Sequence, residues 1–421
     1  MLRSKKDERQ SRGRYTDSFP VSCSKAIGRV DRRKLRSPDG FGTCTVALGS
    51  WHDSGKGNIA AVRKQPKQTR TRFMSNPGSH LHRAAEVTFK SIHPEQRVRY
   101  TEVATPQIVL RRKDKYARLL KRCEGIPPVR CAVAYPCDRD SLLGPIEAAK
   151  LKLIDPILVG PVDKIQAVAD AEKVDLSPFQ IVPAEHSHDS AQKAVAIVRA
   201  GEAEALMKGS LHTDALLSAV VSSATGLRTS RRISHVFLMD VPTHPNALAI
   251  TDAAINIAPT LEDKKHIAQN VIDLAHVIGV KEPKLAILSA VETINEKIPS
   301  TIDAAALCKM ADRGQITGAI LDGPLAFDNA ISEQAAKTKK INSPVAGKAD
   351  ILLVPDLEAG NMLAKQLQYL AGADAAGIVL GARVPIVLTS RADNVRTRLA
   401  SIAVMKLVAY AKRIREAAEK S

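Results

Sequence analysis

From about residue 115 the chain alternates between short apolar runs and amphipathic stretches; before that point it does neither. KYARLLKRC (115–123) has helical spacing, and PVRCAVAYP (128–136) reads as a strand ended by Pro136. SLLGPIEAAKLKL (141–153) reads as a helix and DPILVGP (155–161) as a second strand. A helix over 163–174, a strand over 179–184, a helix over 189–203 and a strand over 205–209 follow. Further strands are expected at HVFLMDV (235–241), ALAITDAAINI (247–257), KLAILSAV (284–291), ITGAILDGPL (316–325), ADILLVPD (349–356), GIVLG (377–381) and PIVLTS (385–390). The helices between and after them fall at 261–280, 300–314, 358–372 and 395–414. Strand and helix taking turns at this spacing predict an α/β fold, with parallel or mixed sheets and flanking helices. Roughly 300 residues of such alternation exceed one hydrophobic core, so two α/β domains are expected.

Residues 1–114 predict a basic, disordered extension. KKDERQSRGR and RKQPKQTRTR lack any apolar period and are typical of solvated chain. An Arg- and Ser-rich start can be a transit peptide, but Asp7, Glu8, Asp17 and Asp31 interrupt this one. Met74 lies inside the stretch and would serve as a start that removes most of it.

Charge follows the same division. The net charge of +18 would suggest nucleic acid or an anionic membrane as partner. Residues 1–122, however, hold 29 of the 62 Lys and Arg but only 10 of the 44 Asp and Glu, so the remainder is close to neutral. A globular body without basic excess makes nucleic acid an unlooked-for partner, and no apolar run approaches the roughly 18 residues of a membrane span. The 6 cysteines include no CxxC pair, which argues against a zinc site or disulfide framework and for reduced thiols in a cytoplasmic protein.

In parallel α/β sheets, ligands bind beyond the carboxyl ends of the strands. After ALM come Lys208, Gly209, Ser210, Leu211, His212 and Thr213; after ITGAIL come Asp322 and, further on, Asp328; after PIVLT come Ser390, Arg391 and Asp393. With Arg231 and Arg232 this is a collection of cations and hydroxyls suited to an anion such as phosphate. Neither a Walker A loop nor G-x-G-x-x-G is present. Each group also has a plainer reading: Asp322 as a turn cap, SRAD as an N-cap with a surface ion pair, RTSRR as a solvated face. His186 and His188 in EHSHD read as a turn and helix start, since no third metal ligand has suitable spacing.

The segments PIEAAKLKLIDPILVGP, ALMKGSLHTDALL, HVFLM, ITDAAINIAPTLEDK, LDGPLAFDNAIS, ADILLVPDLEAGNML and VPIVLTSRAD together resemble the phosphate acetyltransferase and phosphate butyryltransferase family, in family order over about residues 115–421. The nearest flavour is the acetyltransferase module found behind an enoyl-CoA hydratase domain, although residues 1–114 cannot supply a hydratase. The resemblance implies an isocitrate/isopropylmalate dehydrogenase-like fold, with domain I at 115–235 and 378–421, domain II at 236–377, and a cleft between them. It also implies a homodimer, CoA and acyl phosphate as substrates, no metal or other cofactor, and acetate kinase as a pathway neighbour.

The implied reaction is acetyl-CoA + phosphate ⇌ acetyl phosphate + CoA. It needs a CoA thiolate, a stabilised carbonyl oxygen and a phosphate held beside it. As the resemblance implies, Arg391 binds the phosphoryl group or polarises the carbonyl, and Ser390 hydrogen-bonds the reacting centre. Where many family acetyltransferases carry a general-base Asp, six residues after that Arg, this chain has Thr397. Asp393 is then the nearest carboxylate, as base or as orienter of Arg391, with Asp322 and Asp328 as rivals. Lys208, Ser210, His212 and Thr213 are substrate contacts, and Arg231 or Arg232 supplies a second cation. Competing readings are a butyryltransferase, a metal-dependent dehydrogenase of the same fold, and a non-catalytic binding protein.

Overall fold

A computed structural model describes residues 115–390 and 393–419, all within one compact unit. The expectations for residues 1–114, the charged extension and Met74 among them, lie outside the described residues, as does Arg391.

The strands are β1 (Val129–Ala134), β2 (Ile154–Gly160), β3 (Gln180–Pro183), β4 (Ala205–Lys208), β5 (Ser234–Asp240), β6 (Leu248–Thr251), β7 (Lys284–Leu288), β8 (Ile320–Leu325), β9 (Ile351–Leu353), β10 (Asp374–Leu380) and β11 (Ile386–Val387). The helices are α1 (Lys115–Arg122), α2 (Arg139–Lys150), α3 (Val162–Glu172), α4 (Ser187–Arg199), α5 (Thr213–Val221), α6 (Leu261–Val277), α7 (Pro299–Asp312), α8 (Phe327–Ile331), α9 (Glu333–Thr338), α10 (Leu357–Tyr369) and α11 (Val395–Ala418). Each expected element is found, with shifted ends. The largest trim is at ALAITDAAINI, where only Leu248–Thr251 is strand. There the Asp252 carboxylate accepts the backbone N–H groups of Ala254, Ile255 and Asn256, which bends the chain into a loop.

The strands form one mixed sheet in the order β3-β2-β1-β4-β11-β10-β5-β6-β9-β7-β8. β3, β2, β1, β4 and β11 run parallel, β10 is antiparallel to both of its neighbours, and β6, β9, β7 and β8 run parallel again.

Alternation along each strand divides the core into faces. Val129, Cys131 and Val133 of β1 belong to a cluster that runs along one face of the sheet, with Leu142 and Ile146 of α2 and Ile402 of α11 and, farther along, Ile267 of α6 and Leu307 of α7. Ala132 and Ala134 point the other way, against Ala191 and Val195 of α4 and Leu216 of α5. On that second face the other half of the sheet has its own cluster, with Ala330, Ala336 and Ala364 from α8, α9 and α10. The expected His186–His188 turn is a helix start: His186 is the N-cap of α4, and its Nδ1 accepts the Asp189 N–H at 3.2 Å.

Candidate active site

Three neighbouring strands place the best-supported cluster. β4 lies between β1 and β11, with Met207 opposite both Val133 and Val387. The residues that follow these strands therefore meet at one edge of the sheet.

After β1, Tyr135 takes a left-handed conformation at φ 56°. Such a backbone costs about 1–2 kcal/mol for a residue with a Cβ, so the surroundings must hold it. They do: the Tyr135 carbonyl accepts the Ser210 N–H at 2.8 Å, the Ser210 hydroxyl at 2.9 Å and the Cys137 N–H at 3.0 Å. Gly209 makes this possible, because a Cβ there would stand 2.4 Å from the Tyr135 oxygen and 2.5 Å from that of Ala134. Lys208, almost wholly buried at the end of β4, donates to the Gly209 carbonyl at 3.3 Å. His212 is the N-cap residue of α5 with an exposed ring that makes no capping bond, and Thr213 opens the helix half-buried.

After β11 the chain turns on Asp393. Its Oδ2 accepts the Ser390 N–H at 2.7 Å, while the Asp393 N–H donates to the Ser390 carbonyl at 3.1 Å. Asn394 then caps α11 by accepting the Thr397 N–H at 2.9 Å. Ser390 is left exposed and Asp393 buried.

Sequence reasoning missed Arg398. This arginine is 1% exposed and knits the turn together from α11. Its Nη1 donates to the Thr389 hydroxyl at 3.0 Å, its Nη2 to the Ser390 carbonyl at 3.2 Å and its Nε to the Asp393 carbonyl at 3.3 Å. Burial lowers its pKa from the ordinary arginine value, and the charges of Asp138, Asp393 and Asp140 oppose that shift. α2 comes close enough that a Cβ on Gly144 would lie 3.0 Å from Arg398 Cδ. Arg398, Ser401, Ile402 and Met405 share the buried-face spacing of α11, which marks Arg398 as inward-facing but does not name its partners.

The remaining predicted residues stand elsewhere in this chain. Arg231 and Arg232 precede β5, at the end of that strand which pairs with Leu380, whereas Ser390 follows β11 at the other end. Arg231 binds Asp273 at 2.9 Å, and Arg232 donates to Asn256 at 2.7 Å. Asp322 lies on β8, the far edge of the sheet, and its Oδ1 accepts the Gly323 N–H at 2.8 Å. Asp328 opens α8 and pairs with Lys339 at 3.4 Å. The sheet thus joins Lys208, Ser210, His212 and Thr213 with Ser390 and Asp393, and does not bring Arg231, Arg232, Asp322 or Asp328 to them.

Cys137 beside the Tyr135 turn is a poor nucleophile, and so are Cys123 and Cys308 elsewhere in the fold. Burial pushes Cys137 and Cys123 up to about 11, and Cys308 to about 12. What remains is a strand-end site of cation, hydroxyls and carboxylate on a mixed α/β sheet, the equipment of an enzyme that handles a small anionic substrate.

The phosphate acetyl/butaryl transferase family model matches residues 184–406. A phosphate acetyltransferase of Rhizobium meliloti is 64% identical over 304 residues, covering 72% of this chain and 96% of that protein. A phosphate butyryltransferase of Clostridium acetobutylicum is 44% identical over 280 residues, covering 66% of this chain and 93% of its own. The crystal structure of a branched-chain phosphotransacylase from Enterococcus faecalis superimposes with a TM-score of 0.60 at 30% identity, covering 67% of this chain and 99% of that one. The chain belongs to the phosphate acetyl/butaryl transferase family.

Proposed function

We propose that the protein is a phosphate acetyltransferase, which moves an acetyl group reversibly between CoA and inorganic phosphate. The observation that carries the reading is the meeting of Lys208, Ser210 and Ser390 at adjacent strand ends. The 64% identity to a phosphate acetyltransferase, against 44% to a phosphate butyryltransferase, favours acetyl over butyryl.

The CoA thiolate attacks the carbonyl carbon of acetyl phosphate. The C–S bond forms as the C–O bond to phosphate breaks, and phosphate departs. Ser390 hydrogen-bonds the reacting centre, and Arg391 balances the charge on phosphate or carbonyl oxygen. Lys208, Ser210, His212 and Thr213 line the approach. Asp393 has the role of fixing Ser390, since its Oδ2 is engaged by the Ser390 N–H and the residue is buried. A Cys137 thiol raised to about 11 favours direct transfer in a ternary complex over an acyl-cysteine. CoA and acyl phosphate are substrates, and the reading calls for no cofactor.

Two domains, 115–235 with 378–421 and 236–377, face each other across a cleft in this reading. The division of one sheet face into two separate apolar clusters supports it. A homodimer in the cytoplasm completes it: Met362, Tyr369 and Leu370 at α10 are 60%, 70% and 85% exposed, an apolar strip suited to a second copy. Acetate kinase is the neighbouring enzyme that would exchange acetyl phosphate with it.

The test is thioester formation by the full chain from CoA with acetyl phosphate and with butyryl phosphate. The reading expects turnover with a higher kcat/KM for acetyl phosphate. Preference for butyryl phosphate would reassign the acyl group, and no turnover with either would reject the reading.

A further inference from the structure

One face of the sheet is divided between two apolar clusters, and β5 crosses it there. Val236 points to the opposite face, into the cluster that α2 and α11 also line, so its neighbours His235 and Phe237 point to the divided one. His235 is wholly buried, and its ring packs edge-on against Phe237. The Thr251 hydroxyl on β6 donates to the His235 carbonyl at 2.8 Å and fixes the backbone.

Gly377 gives the ring its reach. On β10, Val379 pairs with His235 and Gly377 with Phe237. With no side chain at Gly377, the imidazole lies across β10 towards β11. A Cβ there would stand 3.1 Å from His235 Nε2 and 2.6 Å from the Leu388 carbonyl oxygen. Ring tip and carbonyl therefore share the space that a side chain would fill. The register leads to the same place: Val387 pairs with Ile378, which sets Leu388 opposite Gly377. Gly377 is itself anchored to α11. Its N–H donates to the Ser401 hydroxyl at 2.9 Å, and that hydroxyl donates to the Thr397 carbonyl at 2.8 Å.

Leu388 stands two residues before Ser390. Arg398 holds the Thr389 hydroxyl and the Ser390 carbonyl from α11, so Arg398 and His235 between them reach three successive residues of the turn. The charged groups that act on the ring are Asp252 after β6, Asp393 before α11 and Lys365 on α10. Burial outweighs the pull of the two carboxylates and keeps the imidazole neutral. A neutral imidazole carries one N–H, and the nitrogen that faces a carbonyl oxygen is the one that holds it.

We propose that His235 is a positioning residue for acyl transfer: its Nε2–H reaches the Leu388 carbonyl across Gly377 and sets where β11 delivers Ser390. The contact lacks full hydrogen-bond geometry as it stands, and a small movement of the turn as it closes on the reacting groups completes it. This role rests on the acyl-transfer reading of the strand end.

Steady-state kinetics of the full chain with CoA and acetyl phosphate test it, on His235→Phe, His235→Gln and His235→Asn. Phe keeps a ring without the N–H, Gln returns an amide N–H near the place of Nε2, and Asn is too short to cross Gly377. The expected result is a kcat loss of about tenfold in the Phe and Asn variants with KM little changed, and recovery to within about threefold of the parent in the Gln variant. A histidine that only fills the core would move the melting temperature and leave the kcat of folded enzyme alone. Parent-like kcat in His235→Phe, or equal losses in the Phe and Gln variants, overturns the role. The nitrogen chemical shifts of the ring, assigned by their disappearance in His235→Phe, need no turnover. The Nε2–H tautomer is expected, and an Nδ1–H tautomer overturns the contact. A parent that shows the Nε2–H tautomer but no turnover upholds the contact and rejects the acyl-transfer reading.

Discussion

At the scale of single residues, the turn after β11 depends on one buried guanidinium. Arg398 satisfies Thr389 and the carbonyls of Ser390 and Asp393 together. Arg398→Met keeps much of the volume but orphans all three, and leaves Asp138 and Asp393 without their counter-charge. The expected loss is about 3–5 kcal/mol of stability, as when a buried ionic partner is removed, read as a lower urea midpoint. Surviving enzyme should lose kcat more than it gains in KM. Arg398→Lys, which restores charge without the planar fork, should recover stability in part and kcat hardly at all. The cysteines give a second prediction. With Cys137 raised to about 11, Cys137→Ser should retain most of the activity, and alkylation at neutral pH should be slow. Rapid alkylation of Cys137 that abolishes turnover would instead indicate an acyl-cysteine route. Ser390 and Asp393 were legible as polar residues on a strand end. Arg398 was not, because a charged residue on a buried helical face looks like an exception until its partners are seen.

At the scale of elements, the loop from β4 to α5 is fixed by main-chain contact. Lys-Gly-Ser works here because Gly209 lets the Tyr135 carbonyl approach and accept both donors of Ser210. Gly209→Ala would place a Cβ against two backbone carbonyls, which have no side-chain freedom to yield. Overpacking of this kind costs about 1–3 kcal/mol, and the displaced loop should lower kcat/KM at least tenfold. A stable, fully active Gly209→Ala enzyme in a thermal melt and transfer assay would contradict this account of the loop. Most strands and helices were visible from periodicity. The loop after β6 was not: ITDAAINI is apolar enough to read as strand, and only the Asp252 carboxylate with its backbone donors shows why it bends.

At the scale of the whole molecule, alternation predicts an α/β protein, but not the pairing order. β10 and β11 arrive last in the chain and pair in the middle of the sheet, which brings the residues after β11 to the same end of the sheet as those after β4. Arg231 and Arg232 looked like companions of Ser390 on paper; the register of β5 against β10 puts them at the other end of the strands. That same register buries His235 against Phe237, ring centres 4.4 Å apart, in the seam between the two clusters of one face. Neither ring nitrogen makes a hydrogen bond of full geometry, and the Leu388 carbonyl is the polar backbone group that acts on the ring. Burial lowers its pKa, against the pull of Asp252 and Asp393 and with that of Lys365. A histidine kept neutral in the fold binds a proton more readily when unfolded, so its contribution is present above the unfolded value of about 6.5 and is lost as the pH falls below it. The melting temperature should drop between pH 7.5 and pH 5.5, and His235→Phe should flatten that drop. An unchanged pH dependence in the variant would show that His235 is not its source.

We propose that Ser390 and Arg391, which follow β11 in the sequence, carry out acyl transfer. The most direct test compares kcat/KM for acetyl phosphate and CoA in the full chain with Ser390→Ala and Arg391→Ala, each verified as folded by thermal melt. The account predicts native-like melting and losses of at least a hundredfold in both variants, on the scale of removing one transition-state hydrogen-bond donor. Folded variants that turn over at the parent rate would contradict it and move the chemistry away from this strand end.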